Sequence, residues 1–208
     1  MDLYRRRLPH WFPEDAAVFM TWRLAGSIPP GVIRASRAAR VANVANVAKV
    51  GQTIAVCGLP TPATLAPFFQ HDAHLDHSDF GPVWLRDPRI ASMLASALQY
   101  GETARHFYRL HAWVIMPNHV HVVLEPRAAM PAIMRWLKGR TGRMANRILG
   151  RTGMPFWQDE SFDHWVRSAE ELQELIDYVE DNPVKAGLVE TKDQWAWSSA
   201  GLRASEAP

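Results

Sequence analysis

The sequence predicts an α+β domain, because strand patterns and helix patterns occur in the same chain. Residues 18–24 combine aromatic and β-branched side chains, as strands do, and glycine and prolines follow them. Residues 107–115 and 119–125 are two further apolar or alternating runs, and the short turn between them is of hairpin length. Residues 172–179 carry apolar side chains at i, i+3, i+4 and i+7, which is the spacing of a helix.

The composition is that of one ordinary soluble domain. The chain has 208 residues, of which 48% are hydrophobic and 21% charged, so it is long enough to bury a core. Cys57 is its only cysteine, which excludes an internal disulfide and a cysteine zinc cluster. It has no apolar run of membrane-spanning length and no signal-peptide pattern near its N-terminus. We therefore expect a cytoplasmic protein with no membrane partner.

Two early segments differ from the rest of the chain. Residues 1–13 are basic and contain proline, with Arg5, Arg6 and Arg7 in succession, and the simplest interpretation is a solvated tail. Residues 31–69 contain a three-residue repeat of low complexity and a turn-rich stretch. Such a repeat does not keep helical spacing for long, so we predict a peripheral insertion in a single domain that spans residues 1–208.

The next helix is predicted over residues 88–99. Asp87 supplies an N-cap and Pro88 occupies the first helical position. The apolar side chains at core spacing are Ile90, Met93, Leu94 and Ala97. Packing alone accounts for this helix.

Residues 127–151 form a basic block without aspartate or glutamate. Its positive residues are Arg127, Arg135, Lys138, Arg140, Arg143, Arg147 and Arg151. The last four arginines fall on one helical face, which suits a phosphate backbone. A solvated helix face is the usual interpretation of such a run, but the absence of acids over this length favours an anionic partner. Gly139 and Gly142 weaken the helix propensity, which leaves a kinked or two-part helix open.

The second strand of the hairpin carries a pair of histidines. Because side chains alternate along a strand, His119 and His121 lie on one face, while Val120 and Val122 lie on the other. A single histidine on a strand is more often a packed or surface residue than a ligand. Two on one face are close enough to share a cation, so the pair alone leaves metal binding and packing equally open.

Phe156-Trp-Gln and residues 161–167 form a last strand candidate, and the helix that follows is predicted to begin at Ser168 or Ala169. It should end at Asn182, because Pro183 cannot continue it. Tyr178 lies one turn before Asn182, at the margin of the apolar stripe, where a phenol can point into a cleft. Amphipathic packing is the commoner role for such a tyrosine.

Four motifs in this order resemble those of the REP-associated tyrosine transposases. They are N-H-V-H-V-V-L-E-P, F-W-Q-D-E-S-F-D-H-W-V-R, L-I-D-Y-V-E-D-N-P-V-K-A-G-L-V and W-A-W-S-S-A. That family belongs with the transposase-like single-strand endonucleases, which use a histidine, hydrophobic, histidine motif and one tyrosine. The resemblance covers the chain except for about residues 31–69 and the last few. It implies a ferredoxin-like α+β fold, an antiparallel sheet with helices on one face.

The resemblance also implies a role for each site residue. His119 and His121 match the histidines that bind a divalent cation, Tyr178 matches the nucleophile, and Asn182 matches the third ligand. Magnesium or manganese is expected, although ligand type alone does not decide against zinc. The implied reaction cleaves and rejoins DNA near hairpins through a 5′-phosphotyrosine, without ATP.

Single-stranded or hairpin DNA is the implied partner, and both a monomer and a homodimer stay open. The expected DNA-binding residues are Arg5, Arg6, Arg7, Arg135, Lys138, Arg140, Arg143, Arg147 and Lys185. Trp11, Trp136 and Trp157 are available for stacking on bases, although core packing is the commoner role. One alternative is a non-catalytic hairpin DNA- or RNA-binding protein derived from a transposase. Another is a hydrolytic metalloenzyme, which is disfavoured because no glutamate stands beside the histidines in a general-base motif.

Overall fold

The computed structural model describes residues 4–6, 8–10, 16–29, 31, 75–76 and 80–206, with backbone alone for the first two ranges. The predicted insertion at 31–69, apart from Gly31, lies outside these residues, as does Trp11. The strands are β1 (Tyr4–Arg6), β2 (Leu8–His10), β3 (Val18–Arg23), β4 (Tyr108–Ile115), β5 (His119–Pro126) and β6 (Phe162–Trp165). The helices are α1 (Pro88–Thr103), α2 (Met130–Ile148), α3 (Ala169–Lys185) and α4 (Ser199–Glu206), with 3-10 turns at Trp84–Arg86 and Lys192–Gln194.

Four strands form one antiparallel sheet in the order β4-β5-β3-β6. The central strand β3 pairs with both β5 and β6, and β4 pairs with β5 as the predicted hairpin. Helix α1 connects β3 to β4, and α2 connects β5 to β6. This is the β-α-β-β-α-β order of a ferredoxin-like fold, so the predicted α+β class is confirmed.

Helices cover both faces of this sheet. On one face, α1 and α2 pack through Ile90 and Ile133 against β3 residues such as Met20. On the other face, α3 packs through Val179 against Phe19. The expectation of helices on one face therefore holds for α1 and α2 but not for α3. Because the alternate positions of β3, β4 and β5 are apolar as well, the second face also needs a cover.

The predicted N-cap of α1 is present, since Asp87 Oδ1 accepts a hydrogen bond from the backbone N–H of Arg89 at 2.9 Å. Helix α2 runs without a break through Gly139 and Gly142. A Cβ built on Gly142 would lie 3.4 Å from the Trp157 ring, so the glycine lets α2 lie close to that ring. Tertiary packing outweighs the low helix propensity there.

Helix α3 continues to Lys185, so the prediction that it ends at Asn182 is wrong. Pro183 lies in the last turn, where it removes one backbone donor without preventing the helix from closing. The backbone N–H of Ala186 still donates to the carbonyl of Asn182 at 2.9 Å. The carbonyl of Pro183 itself accepts from the N–H of Leu188 at 2.9 Å.

The backbone near the N-terminus is not simply a solvated tail, because β1 and β2 pair as an antiparallel ribbon. Tyr4 lies opposite His10 in its register. Strands of three residues are too short for a side-chain pattern to reveal them. Among the described residues, none of the helices combines the length and the apolar character that crossing a bilayer requires.

Candidate metal and nucleophile site

Strand pairing places the two histidines in the interior, under α3. In the register of β3 and β5, Thr21 lies opposite His121 and Arg23 opposite His119. Directly paired residues face the same side of a sheet, so all four side chains share the α3 face. Both imidazoles are fully buried.

Hydrogen bonds orient each imidazole through its Nδ1 atom. His119 Nδ1 lies 2.6 Å from Asn118 Oδ1, and His121 Nδ1 lies 2.6 Å from Thr21 Oγ1. Asn118 Nδ2 donates to the carbonyl of Leu75 at 3.0 Å, which fixes the amide with its oxygen towards His119. An amide oxygen only accepts hydrogen bonds, so the His119 proton resides on Nδ1, and the Thr21 hydroxyl can accept from His121 in the same way.

The two Nε2 atoms consequently face each other at 2.9 Å. The rings lie nearly perpendicular, with centroids 4.5 Å apart. Two imidazole lone pairs at this distance repel each other unless a proton or a cation lies beside both. In metal-binding histidines, one ring nitrogen usually donates its N–H to an oxygen and the other binds the ion. Here Nδ1 would have the first role and Nε2 the second.

Tyr178 lies beside this pair on α3. Its ring centroid is 6.0 Å from that of His121 and 6.0 Å from that of Phe19, which meets it edge-on. Tyr178 is half-buried, so the phenol lies at the boundary between the buried imidazoles and solvent. The ammonium of Lys185 lies 4.3 Å from the centre of the tyrosine ring.

Asn182 follows Tyr178 by one helical turn and is fully buried. Within the described part of the chain, neither its Oδ1 nor its Nδ2 has a hydrogen-bond partner. A buried polar group without a hydrogen-bond partner lowers the stability of the folded protein by about 1–3 kcal/mol. A ligand bound to the Asn182 amide would remove this cost. An amide oxygen and two imidazole nitrogens are a plausible donor set for a divalent cation, so these residues fit the metal that the resemblance implies.

The sequence analysis did not single out Asp76 or Arg23, which also lie at the site. Asp76 Oδ1 is 3.7 Å from His119 Nε2, although the two residues are far apart in the sequence. Arg23 is half-buried opposite His119, and burial lowers the pKa of its guanidinium from the usual value. No local spacing signals either residue, because a tertiary contact places one and strand pairing the other. Among the described residues, no three histidine, cysteine or acidic side chains form a ready-made metal cluster.

Most of the predicted DNA-binding residues lie on the other face of the sheet. The exposed arginines of α2 are Arg135, Arg140, Arg143 and Arg147. A cavity of about 560 Å³ separates α2 from the segment before β6, and three of these arginines line it. The Lys138 ammonium donates to the carbonyls of Gln158 at 2.6 Å and Asp159 at 2.8 Å, so it joins α2 to that segment.

The remaining predicted residues fall elsewhere. Lys185 lies beside the Tyr178 ring. Arg5 and Arg6 lie on β1, where only the backbone is described, and Arg7 is outside the described residues. Trp157 is buried in the core and donates to the Thr141 hydroxyl at 2.9 Å. The structure thus brings the histidines, Tyr178 and Lys185 together and separates them from the basic block.

Comparison with known proteins agrees with this architecture. Residues 88–182 match the family model described as Transposase IS200 like. A REP-associated tyrosine transposase of Escherichia coli (strain K12) is 26% identical over 94 residues, which cover 44% of this chain and 54% of that protein. A putative REP-associated tyrosine transposase of Haemophilus influenzae (strain ATCC 51907 / DSM 11121 / KW20 / Rd) is 29% identical over 113 residues, 48% of this chain and 64% of that protein. The match therefore spans less than two thirds of either relative.

A solved structure of a REP-associated tyrosine transposase bound to a REP hairpin shares the fold. It aligns with 100% of this chain and 89% of its own, with a TM-score of 0.50 and 15% sequence identity. At that identity the likeness concerns the fold alone. Residues 88–182 are similar to the IS200-like transposases, and the predicted resemblance of this chain to the REP-associated tyrosine transposases is confirmed.

Proposed function

We propose that this chain is a metal-dependent endonuclease and transposase that cleaves single-stranded DNA near hairpins through a 5′-phosphotyrosine on Tyr178. One observation carries the proposal: the facing Nε2 atoms of His119 and His121, 2.9 Å apart, lie beside the Tyr178 ring, whose centroid is 6.0 Å from that of His121. The family match and the names of the two relatives support the same kind of protein.

In this proposal His119, His121 and the Oδ1 atom of Asn182 hold a magnesium or manganese ion. When bound, the ion supplies Lewis-acid polarisation of the scissile phosphate. Asn118 and Thr21 keep both Nε2 atoms turned inwards, so the imidazoles need no reorganisation on binding. Burial of both rings excludes water from the side of the site below α3.

The phenol oxygen of Tyr178 is the nucleophile in this scheme. It loses its proton and forms a bond to phosphorus, while the bond from phosphorus to the 3′ oxygen breaks and that oxygen takes up a proton. The DNA stays joined to the enzyme through its 5′ phosphate. Because the new phosphodiester keeps the bond energy, a 3′-hydroxyl can later attack it without ATP. The edge-on contact with Phe19 holds the ring beside the histidines.

The basic side chains then divide into two groups. The exposed arginines of α2, together with Arg5, Arg6 and Arg7 near the N-terminus, would neutralise phosphates of the bound hairpin. Lys138, which is half-buried between them, would add its charge while its ammonium donates to the carbonyls of Gln158 and Asp159. Lys185, beside the tyrosine ring, would lie near the scissile phosphate instead. Affinity and chemistry would thus depend on different faces of the sheet.

A covalent-adduct experiment tests the proposal. The protein is incubated with manganese and labelled single-stranded hairpins, and adducts are mapped by mass spectrometry. We expect an adduct on Tyr178 that disappears in Tyr178→Phe, because this change removes the oxygen and keeps the ring, so thermal unfolding should hardly change. Tyr100→Phe is the matched control, because Tyr100 is exposed on α1, on the opposite face. An adduct on Tyr4, Tyr100 or Tyr108 would contradict the assignment.

A non-catalytic hairpin-binding protein is the second candidate. The observation in its favour is the separation of the α2 arginines from the histidines, since binding through that face needs no metal. His119→Ala and His121→Ala distinguish the two. If the protein is a nuclease, the wild type cleaves the hairpin and both variants still bind it but no longer cleave it. If it is a pure binding protein, even the wild type forms no covalent adduct with any metal.

A further inference from the structure

We infer that Asp76 is an additional ligand of the proposed cation, supplying a carboxylate oxygen beside the two imidazoles and the Asn182 amide. The inference rests on the proposed metal site and deepens it. Asp76 Oδ1 is buried and lies 3.7 Å from His119 Nε2, the atom that also faces His121.

These distances suit donors that share one ion. Magnesium holds its ligands at about 2.1 Å, so donors at right angles are about 3 Å apart and donors on opposite sides are about 4 Å apart. The 2.9 Å between the two Nε2 atoms and the 3.7 Å from Oδ1 to Nε2 both fall in this range. These three side chains do not form a ready-made cluster, so the Asp76 carboxylate would have to move towards the imidazoles before one ion could contact all three atoms.

The structure holds Asp76 at this position through its neighbour. Leu75 is buried, and its carbonyl accepts a hydrogen bond from Asn118 Nδ2 at 3.0 Å. The oxygen of the same amide bonds to His119 Nδ1 at 2.6 Å. A single side chain thus positions both the first imidazole and the backbone beside the carboxylate, which couples Asp76 to the site.

Charge gives this position a consequence for the choice of metal. Two imidazoles and an amide carry no negative charge, whereas a carboxylate adds one charge and a hard oxygen donor. Hard oxygen ligands favour magnesium and manganese, while imidazole nitrogens also suit zinc. Asp76 would therefore shift the metal preference of the site from zinc towards magnesium and manganese.

The test measures manganese binding to the full chain without DNA, by calorimetry and electron paramagnetic resonance. The variants are Asp76→Asn and His121→Ala, with Glu174→Gln as control, because Glu174 is an exposed carboxylate on α3. We expect Asp76→Asn to weaken manganese binding about tenfold or more, and zinc binding less. Glu174→Gln should match the wild type, and His121→Ala should lose most of the binding. Asp76→Glu, which keeps the carboxylate, should recover part of the affinity.

Thermal unfolding separates a ligand from a structural residue. A ligand variant keeps the metal-free Tm and loses much of the rise that manganese produces in the wild type. An equal fall of Tm with and without manganese would overturn the inference. The inference would also be overturned if Asp76→Asn bound manganese with wild-type affinity while His121→Ala lost binding. That result would still support the proposed metal site. If the wild type binds no manganese, the proposed metal site itself fails, and the role of Asp76 fails with it.

Discussion

At the scale of single residues, the hydrogen bonds that orient the imidazoles matter as much as the imidazoles. Thr21 and Asn118 each place an oxygen 2.6 Å from an Nδ1 atom. Without these acceptors either ring could place its proton on Nε2 and turn a donor towards the cation. The chemistry of the pair therefore depends on two neutral neighbours.

Thr21→Val tests this dependence, because valine keeps the β-branched shape that suits β3 and removes the hydroxyl. We expect a folded protein whose manganese affinity falls about tenfold or more, since the His121 tautomer is no longer fixed. Thr21→Ser keeps an oxygen and should stay close to the wild type. Equal affinities of the valine and serine variants in a metal titration would show that the hydroxyl does not orient His121.

At the scale of elements, two helical glycines should respond oppositely to alanine. A Cβ on Gly101 would lie 2.1 Å from the hydroxyl of Tyr108, which is buried and donates to the Leu98 carbonyl at 2.8 Å. Burial raises the pKa of this phenol well above its usual value, so it stays protonated as a donor. A Cβ on Gly139 would meet only the flexible end of Arg143, at 3.5 Å.

We therefore expect Gly101→Ala to lower the free energy of unfolding by about 1–3 kcal/mol, because overpacking exceeds the gain in helix propensity. Gly139→Ala should raise it by about 0.5–1 kcal/mol, because propensity acts there without a clash. Urea denaturation measures both changes. If Gly101→Ala raised the free energy of unfolding instead, α1 and β4 could move apart without losing stability, and the prediction would be wrong.

Helix α2 carries the prediction for DNA affinity. Replacing Arg143 and Arg147 together by glutamine removes two exposed cations from one helical face. Hairpin binding should weaken similarly for all sequences, and the slope of log affinity against log salt should become shallower by about 2. Arg109→Gln, an exposed change on the edge strand β4, is the control and should leave the slope unchanged. If the salt dependence of the double variant equalled that of the wild type, the DNA would not contact this face of α2.

At the scale of the whole molecule, α3 connects the site to the C-terminal part of the chain. Glu180, two residues after Tyr178, is buried and accepts a hydrogen bond from the Ser199 hydroxyl at 2.8 Å. It also forms an ion pair with the exposed Arg203 of α4. Ser199 Oγ in turn accepts from the backbone N–H of Trp113 on β4 at 3.2 Å. This network ties α3, α4 and the sheet together.

The two ends of the ion pair should differ in cost. Arg203→Met leaves a buried carboxylate with less compensation, and we expect a loss of about 1–3 kcal/mol in the free energy of unfolding. Glu180→Gln leaves an exposed guanidinium that water solvates, and its amide can still accept from Ser199, so the loss should be smaller. The double variant should be more stable than Arg203→Met alone. Denaturation of all three variants decides the order, and a larger loss for Glu180→Gln would contradict it.

The sequence by itself determined the features that local geometry controls. Strand alternation put His119 and His121 on one face, and the Asp87 cap marked the start of α1, because both depend on residues that are close in the chain. The motif order indicated the resemblance to the REP-associated tyrosine transposases, and the helix pattern of α3 put Asn182 one turn after Tyr178. Their roles in metal binding and attack stay predictions.

Only the tertiary structure decided what lies around those residues. The approach of Asp76 to His119 and the cover of α3 on the second face are contacts between distant segments. No local period records such contacts, because they follow from strand pairing and from the burial of apolar faces. Pro183 shows the same limit, since a local rule ended α3 at Asn182 and the packed helix continues to Lys185.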